Sequence, residues 1–152
     1  DSHDVSRFLT LCGGDRARME QAVLFQMSFP GMPCVFYGDE KGLEGASENE
    51  YRRPMDFGRP NGLEEAYRRM IALRKEHPAL RHGDFQTVLA QGTLFLCRRS
   101  AAEESLLLCW NAGGEALPVP GLPKDALPLL QKGWKGGLLE GRGYVVFQTA
   151  KP

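Results

Sequence analysis

Apolar positions recur at helical spacing in the first half of this chain and fall into short runs between turn residues in the second. Met19, Ala22, Val23 and Met27 return every three or four positions and so share one face of a helix. Asp15, following Gly13-Gly14, can accept hydrogen bonds from the orphan amides of that helix's first turn. Pro30-Gly31-Met32-Pro33 stops it. Cys34-Val35-Phe36-Tyr37 is a short unbroken apolar run bounded by turn residues, which predicts a strand buried on both faces, as in parallel sheets. Asn61, with Glu64 three residues on, has the spacing of a capping box. It would start a helix with an inward stripe of Leu63, Ala66, Tyr67, Met70 and Ile71 and with Arg74 at its edge; Pro78 ends it. The loop from Lys41 to Pro60 is long for a compact domain, and such loops are usually functional or disordered.

After His77-Pro78 the pattern changes. Strands are predicted at Phe85–Ala90, Thr93–Arg99, Ser105–Asn111, Ala116–Val119, Leu127–Leu130 and Tyr144–Thr149. Turn signals stand at Gln91-Gly92, Asn111-Ala112-Gly113-Gly114, Pro120-Gly121 and Gly141-Arg142-Gly143. The fold class is therefore α/β followed by all-β: residues 1–80 carry a βα repeat with too few strands to close a sheet, and residues 81–152 an antiparallel sandwich or barrel.

Composition narrows the function. Nineteen Lys and Arg balance nineteen Asp and Glu, and the basic pairs are scattered among acids. Nucleic-acid binding, which needs a basic stripe, is disfavoured. No apolar run reaches the roughly 20 residues that span a bilayer. Cys12, Cys34, Cys97 and Cys109 form no CxxC pair; they read as reduced, mostly buried thiols of a cytoplasmic protein, although Cys97 and Cys109 could face each other across a hairpin.

Three groups of residues could carry chemistry. The chain opens on Asp1-Ser2-His3-Asp4, with no initiator Met, which suggests a carboxyl-terminal piece of a larger enzyme. A carboxylate beside an imidazole, as in His3-Asp4, can hydrogen-bond sugar hydroxyls and oppose a developing positive charge, though adjacent polar residues near a terminus are more often simply solvated. Asp39 and Glu40 follow the predicted strand directly, where α/β folds collect ligands; on spacing alone they equally fit a cap. Arg52, in Arg52-Arg53-Pro54-Met55, could pair with an acid in a cleft. Trp110 reads as core. A carbohydrate-binding β-domain would need exposed aromatics in a row, and only Trp134 and Tyr144 are candidates, which disfavours that reading.

In order, these segments resemble the α-amylase family of glycoside hydrolases (family 13), and most of all its neopullulanase, cyclomaltodextrinase and maltogenic amylase branch. The resemblance rests on Ser2-His3-Asp4 followed by Arg7, on Phe29-Pro30-Gly31-Met32-Pro33-Cys34-Val35-Phe36-Tyr37-Gly38-Asp39-Glu40, on Arg52-Arg53-Pro54-Met55-Asp56-Phe57 and on His77-Pro78-Ala79-Leu80. It implies the tail of a (β/α)8 TIM barrel followed by an antiparallel β-sandwich, the family's domain C. It implies an α-glucan substrate, with Asp4 as the third catalytic carboxylate and His3, Arg52, Asp39 and Glu40 as substrate-binding residues. The nucleophile and general acid would lie upstream of Asp1, so this polypeptide alone is expected to be inactive. A non-catalytic amylase-like scaffold is the alternative. No cofactor is implied; some relatives hold calcium through earlier loops, and no oxygen-ligand cluster of the required count stands here. Exposed edges of a truncated barrel predict self-association or a partly disordered first half.

Overall fold

The structure, a computed structural model, describes residues 1–58, 63–122 and 127–149. They form two compact units, one of residues 1–27 and 32–73, the other of residues 28–31 and 74 onward.

The first unit is helical. Helices α1 (Phe8–Leu11) and α2 (Arg16–Ser28) are joined by a turn through Gly13 and Gly14. Asp15 caps α2 as its position predicts: Oδ1 accepts the amides of Ala17 at 3.0 Å and Arg18 at 3.3 Å. The predicted apolar face of α2 is buried at Met19, Val23 and Met27, together with Leu24. A one-turn helix, α3 (Glu48–Tyr51), interrupts the long loop. Helix α4 (Leu63–Glu76) carries acids in its first turn and Arg74 and Lys75 in its last, which matches its dipole. It buries Leu63, Tyr67, Met70 and Leu73, so the stripe turns toward Leu73 and leaves Ile71 half-exposed. The capping residue Asn61 lies outside the described residues. Lys41 pairs with Glu64 in the first turn of α4 and holds its carboxyl below the usual range.

The predicted strand at Cys34–Tyr37 is not formed. These residues run as an irregular segment with Cys34 and Val35 exposed, and no strand occurs among the described residues of this unit. A strand buried on both faces needs a hydrogen-bonded neighbour, and the sheet in this structure is built wholly from residues after Gly83.

In the second unit Pro78 does end α4, and it also opens a short helix, α5 (Pro78–His82), from the first helical position that proline favours. Glu104 caps α5 from outside: Oε2 accepts the Ala79 amide at 3.0 Å and Oε1 lies 2.5 Å from His77 Nδ1. Six strands follow: β1 (Asp84–Gln91), β2 (Leu94–Ala101), β3 (Glu104–Asn111), β4 (Leu117–Pro118), β5 (Leu130–Lys135) and β6 (Leu138–Thr149). All pairings are antiparallel, in the order β1-β2-β3-β6-β4, and β5 also pairs with β6. The all-β half is antiparallel as predicted, and β6 joins its strands into one sheet, but the fifth strand falls at Leu130–Lys135 instead of Leu127–Leu130 and the fourth keeps only Leu117–Pro118. β6 runs through Gly141-Arg142-Gly143, which had read as a turn; Arg142, at φ 61°, makes a bend inside the strand. Gly136 and Gly137, both at positive φ, form the two-residue turn between β5 and β6.

One face of the sheet packs Leu96, Leu107, Cys109, Leu139, Val145 and Phe147 into the core. The register sets Leu96 opposite Cys109 and Cys97 opposite Leu108. Cys97 and Cys109 therefore point to opposite faces and do not meet, which corrects the hairpin reading. Burial pushes both thiols up to about 12. Cys34, by contrast, is exposed. Asn111, fully buried, ties the end of β3 to β6 by donating to Leu139 O at 3.1 Å and Glu140 O at 3.2 Å, and it also donates to Glu115 O in the loop that follows β3, at 2.7 Å.

Candidate functional site

The site lies in the first unit and is assembled from the amino-terminal segment and the loop after α2. Arg52 follows α3 and reaches back across 48 residues of sequence. Its Nε donates to His3 O at 2.8 Å and its NH2 to Asp4 Oδ1 at 3.2 Å, while NH1 pairs with Glu48 at 2.8 Å. His3 Nε2 lies 3.2 Å from the other oxygen of Asp4, Oδ2. Side chains of His3, Asp4 and Arg52 remain 67%, 64% and 45% exposed, so the cluster faces solvent. Each carboxylate oxygen has two lone pairs, and one protein contact on each leaves room for a hydroxyl donor.

Beneath it lies Arg7, with no exposed surface. Its guanidinium donates to Tyr37 O at 2.7 Å, to Asp39 Oδ1 at 3.0 Å and to Tyr51 O at 2.9 Å. It sits over the rings of Phe36 and Tyr37, 4.4 and 4.7 Å from their centroids. The Arg7 amide donates to Gly45 O at 2.9 Å. The Asp39 carboxyl lies above its ordinary value, because burial raises it by more than the hydrogen bond and charge of Arg7 lower it. Glu40 folds over its own turn and accepts the Gly38 amide at 3.0 Å. Gly38 stands at φ 87°, and a Cβ there would lie 2.2 Å from Leu43 Cδ1, so only glycine fits this turn.

The structure thus brings His3, Asp4 and Arg52 together. Asp39 and Glu40 lie in an adjoining turn, Asp39 bound to Arg7 and Glu40 acting as a local cap. Asp39 also borders a cavity of about 180 Å³ with Phe8, Met19, Val23, Gln26 and Tyr67. The aromatic surface on the β half does not form: Tyr144 is 3% exposed, and Trp134 packs edge-on against Phe147 at 5.5 Å. Among the described residues no three His, Cys, Asp or Glu gather as a metal site, and no helix is long and apolar enough to cross a membrane.

The family model described as "Alpha amylase, catalytic domain" matches residues 1–59, the stretch that builds this cluster. A cyclomaltodextrinase of Geobacillus thermopakistaniensis is 34% identical over 94% of this chain and 24% of its own length. The chain belongs to the α-amylase family. Neopullulanase 2 of Thermoactinomyces vulgaris is 39% identical over 76% of the chain and 20% of its own length. Among solved structures, the acarbose-soaked debranching enzyme of Nostoc punctiforme superposes with a TM-score of 0.84 at 33% identity, covering 98% of this chain and 32% of that one. This α-amylase-family chain spans about a quarter of the length of the curated relatives it matches.

Arg7 is the residue that pattern reading undervalued. It belongs to the motif that carried the resemblance, but neither its burial nor its partners can be read from spacing. The available signal was an arginine three residues after the Asp4 carboxylate, with aromatic Phe36-Tyr37 and acidic Asp39 elsewhere in the same unit.

Proposed function

We propose that this chain works as the carboxyl-terminal part of a retaining α-glucan hydrolase of the cyclomaltodextrinase and neopullulanase type. Asp4 grips the 2- and 3-hydroxyls of the sugar at the cleavage point and opposes the positive charge of the oxocarbenium-like transition state. His3 hydrogen-bonds the same sugar, and Arg52 orients the Asp4 carboxylate. Asp39 and Glu40 belong to the wall of the cleft. The observation that carries this reading is the convergence of Arg52 on both His3 and Asp4 at a solvent-facing surface, from 48 residues away.

Retaining hydrolysis needs a nucleophilic carboxylate and a general acid about 5–5.5 Å apart, and hydrogen bonds to the 2-hydroxyl add several kcal/mol in the transition state. Asp4 supplies the second contribution and not the first. In this reading the nucleophile and acid belong to the rest of the protein, and the 152-residue chain by itself does not turn over substrate.

The test is reducing-sugar release from cyclodextrin, pullulan and starch by the full-length protein, beside the same protein carrying Asp4→Asn and the isolated chain. Strong activity that Asp4→Asn lowers by orders of magnitude, with none in the isolated chain, is expected. An inactive full-length protein would instead make it a non-catalytic scaffold. Activity that survives Asp4→Asn would remove Asp4 from the chemistry.

A further inference from the structure

We propose that Arg7 is a positioning residue for the site: its buried guanidinium fixes the placement of Asp4 and Arg52 relative to each other. The inference rests on the reading of Asp4 given above.

The direct contact between Asp4 and Arg52 cannot set their positions alone. Both side chains are about half-exposed or more, and exposed ion pairs of long side chains are weak. Something better held must bring the two segments to within 3.2 Å. Arg7 is bonded to both. Its own backbone lies three residues beyond Asp4, and its NH2 holds the carbonyl of Tyr51, the residue before Arg52. The links close a ring: Asp4 to Arg7 along the chain, Arg7 to Tyr51 by a part-buried hydrogen bond, Tyr51 to Arg52 along the chain, and Arg52 back to Asp4. Asp39 and the Phe36 and Tyr37 rings hold the guanidinium from the remaining sides.

The cost of this arrangement is visible. A buried charge is unfavourable unless fully hydrogen-bonded, yet Arg7 Nε has no partner. The guanidinium is therefore placed where its outer nitrogens reach Tyr37, Asp39 and Tyr51, not where every donor is satisfied. A lysine could keep the charge; it could not bridge separate carbonyls with a flat fork lying on two rings.

The experiment uses the full-length enzyme. Arg7→Lys and Asp39→Asn are each made alone and combined with Asp4→Asn, and kcat, KM on cyclodextrin and melting temperature are measured on the same preparations. Arg7→Lys is expected to lower kcat about 100-fold, the scale of an ångström's misplacement of a catalytic group, with KM little changed. Added to Asp4→Asn it is expected to cost less than about threefold more, because residues that act through one group are not additive. Asp39→Asn keeps the shape of the pocket and is expected to give a smaller loss with the same non-additivity, which keeps the test open should Arg7→Lys fold poorly. Losses that multiply with Asp4→Asn, or that only follow the loss of folded protein, would overturn the proposal by making Arg7 a structural staple. So would full activity in both Arg7→Lys and Asp39→Asn. Full activity in Asp4→Asn itself would overturn the reading of Asp4 and this inference with it, an outcome separable from the others because it appears in the single mutant.

Discussion

Arg99 and Arg74 each bind backbone carbonyls from residues 28–31 and from residues 80–84, within the second unit. Arg99, fully buried, donates to Ser28 O, to Gly83 O at 2.9 Å and to Asp84 O at 3.2 Å. Arg74 donates to Phe29 O at 3.3 Å, Gly31 O at 2.6 Å and Leu80 O at 2.7 Å. Arg99→Met keeps the apolar stem and removes the guanidinium donors to Ser28 O, Gly83 O and Asp84 O. The expected cost is about 3 kcal/mol, read as a lower urea midpoint at unchanged slope. A loss under about 1 kcal/mol would mean that water reaches those carbonyls. In the sequence Arg98-Arg99 is one of several scattered basic pairs, and hydropathy places any arginine outside; Arg99 is inside because Ser28 O, 71 residues away, is brought to it.

Among the elements, the one-turn helix α3 matters most to the site, since it delivers Arg52. Its amino end is held by Glu50, whose Oε2 accepts the amides of Ala46 at 2.9 Å and Ser47 at 3.0 Å. Those bonds favour the ionised form and hold the carboxyl below its ordinary value of 4.5. The folded state thus binds the proton less tightly than the unfolded state, so the stabilisation is complete above the ordinary glutamate range and is lost as pH falls through the depressed folded value. Hydrogen-exchange protection at Ala46 and Ser47 is expected to fall as the pH drops below about 4.5, and Glu50→Gln to abolish that dependence. Protection that ignores pH in the wild type would assign the turn to other bonds, such as Ser6 Oγ to Ala46 O at 3.1 Å and Gly45 N to Thr10 Oγ1 at 2.7 Å. The same loop carried no periodicity, which is why α3 was illegible: four residues of helix leave no repeat to find. The reverse error occurred at Cys34–Tyr37, where apolar content without alternation suggested a strand that has no neighbour to pair with.

At the level of the molecule, the first unit leaves large apolar side chains in water. Met32 is 95% exposed and Phe57 79%, and Phe25, Val35 and Tyr37 are each more than a third exposed. Apolar surface of this kind drives association. The isolated chain is expected to sediment as oligomers whose size rises with concentration, and Met32→Lys with Phe57→Asp to shift it toward monomer. A single monomeric boundary at every concentration would contradict this. The apolar exposure also supports the proposal that the chain works as part of a longer protein.

The regular elements were legible because they are written in short-range chemistry. The 3.6-residue repeats of α2 and α4, the Asp15 cap and strands β1 to β3 each depend on residues a few positions apart, and the structure places them within a residue or two of where the pattern does. The motif residues His3, Asp4 and Arg52 were legible as a resemblance. Their meeting was not, nor were the burial of Arg7 and Arg99, the bend of β6 at Arg142 and the absence of a strand at Cys34–Tyr37. Each of these turns on a partner tens of residues away. Whether a charge is buried or a strand paired is settled by which carbonyls and neighbours folding brings within about 3 Å, and local propensity contains no term for that.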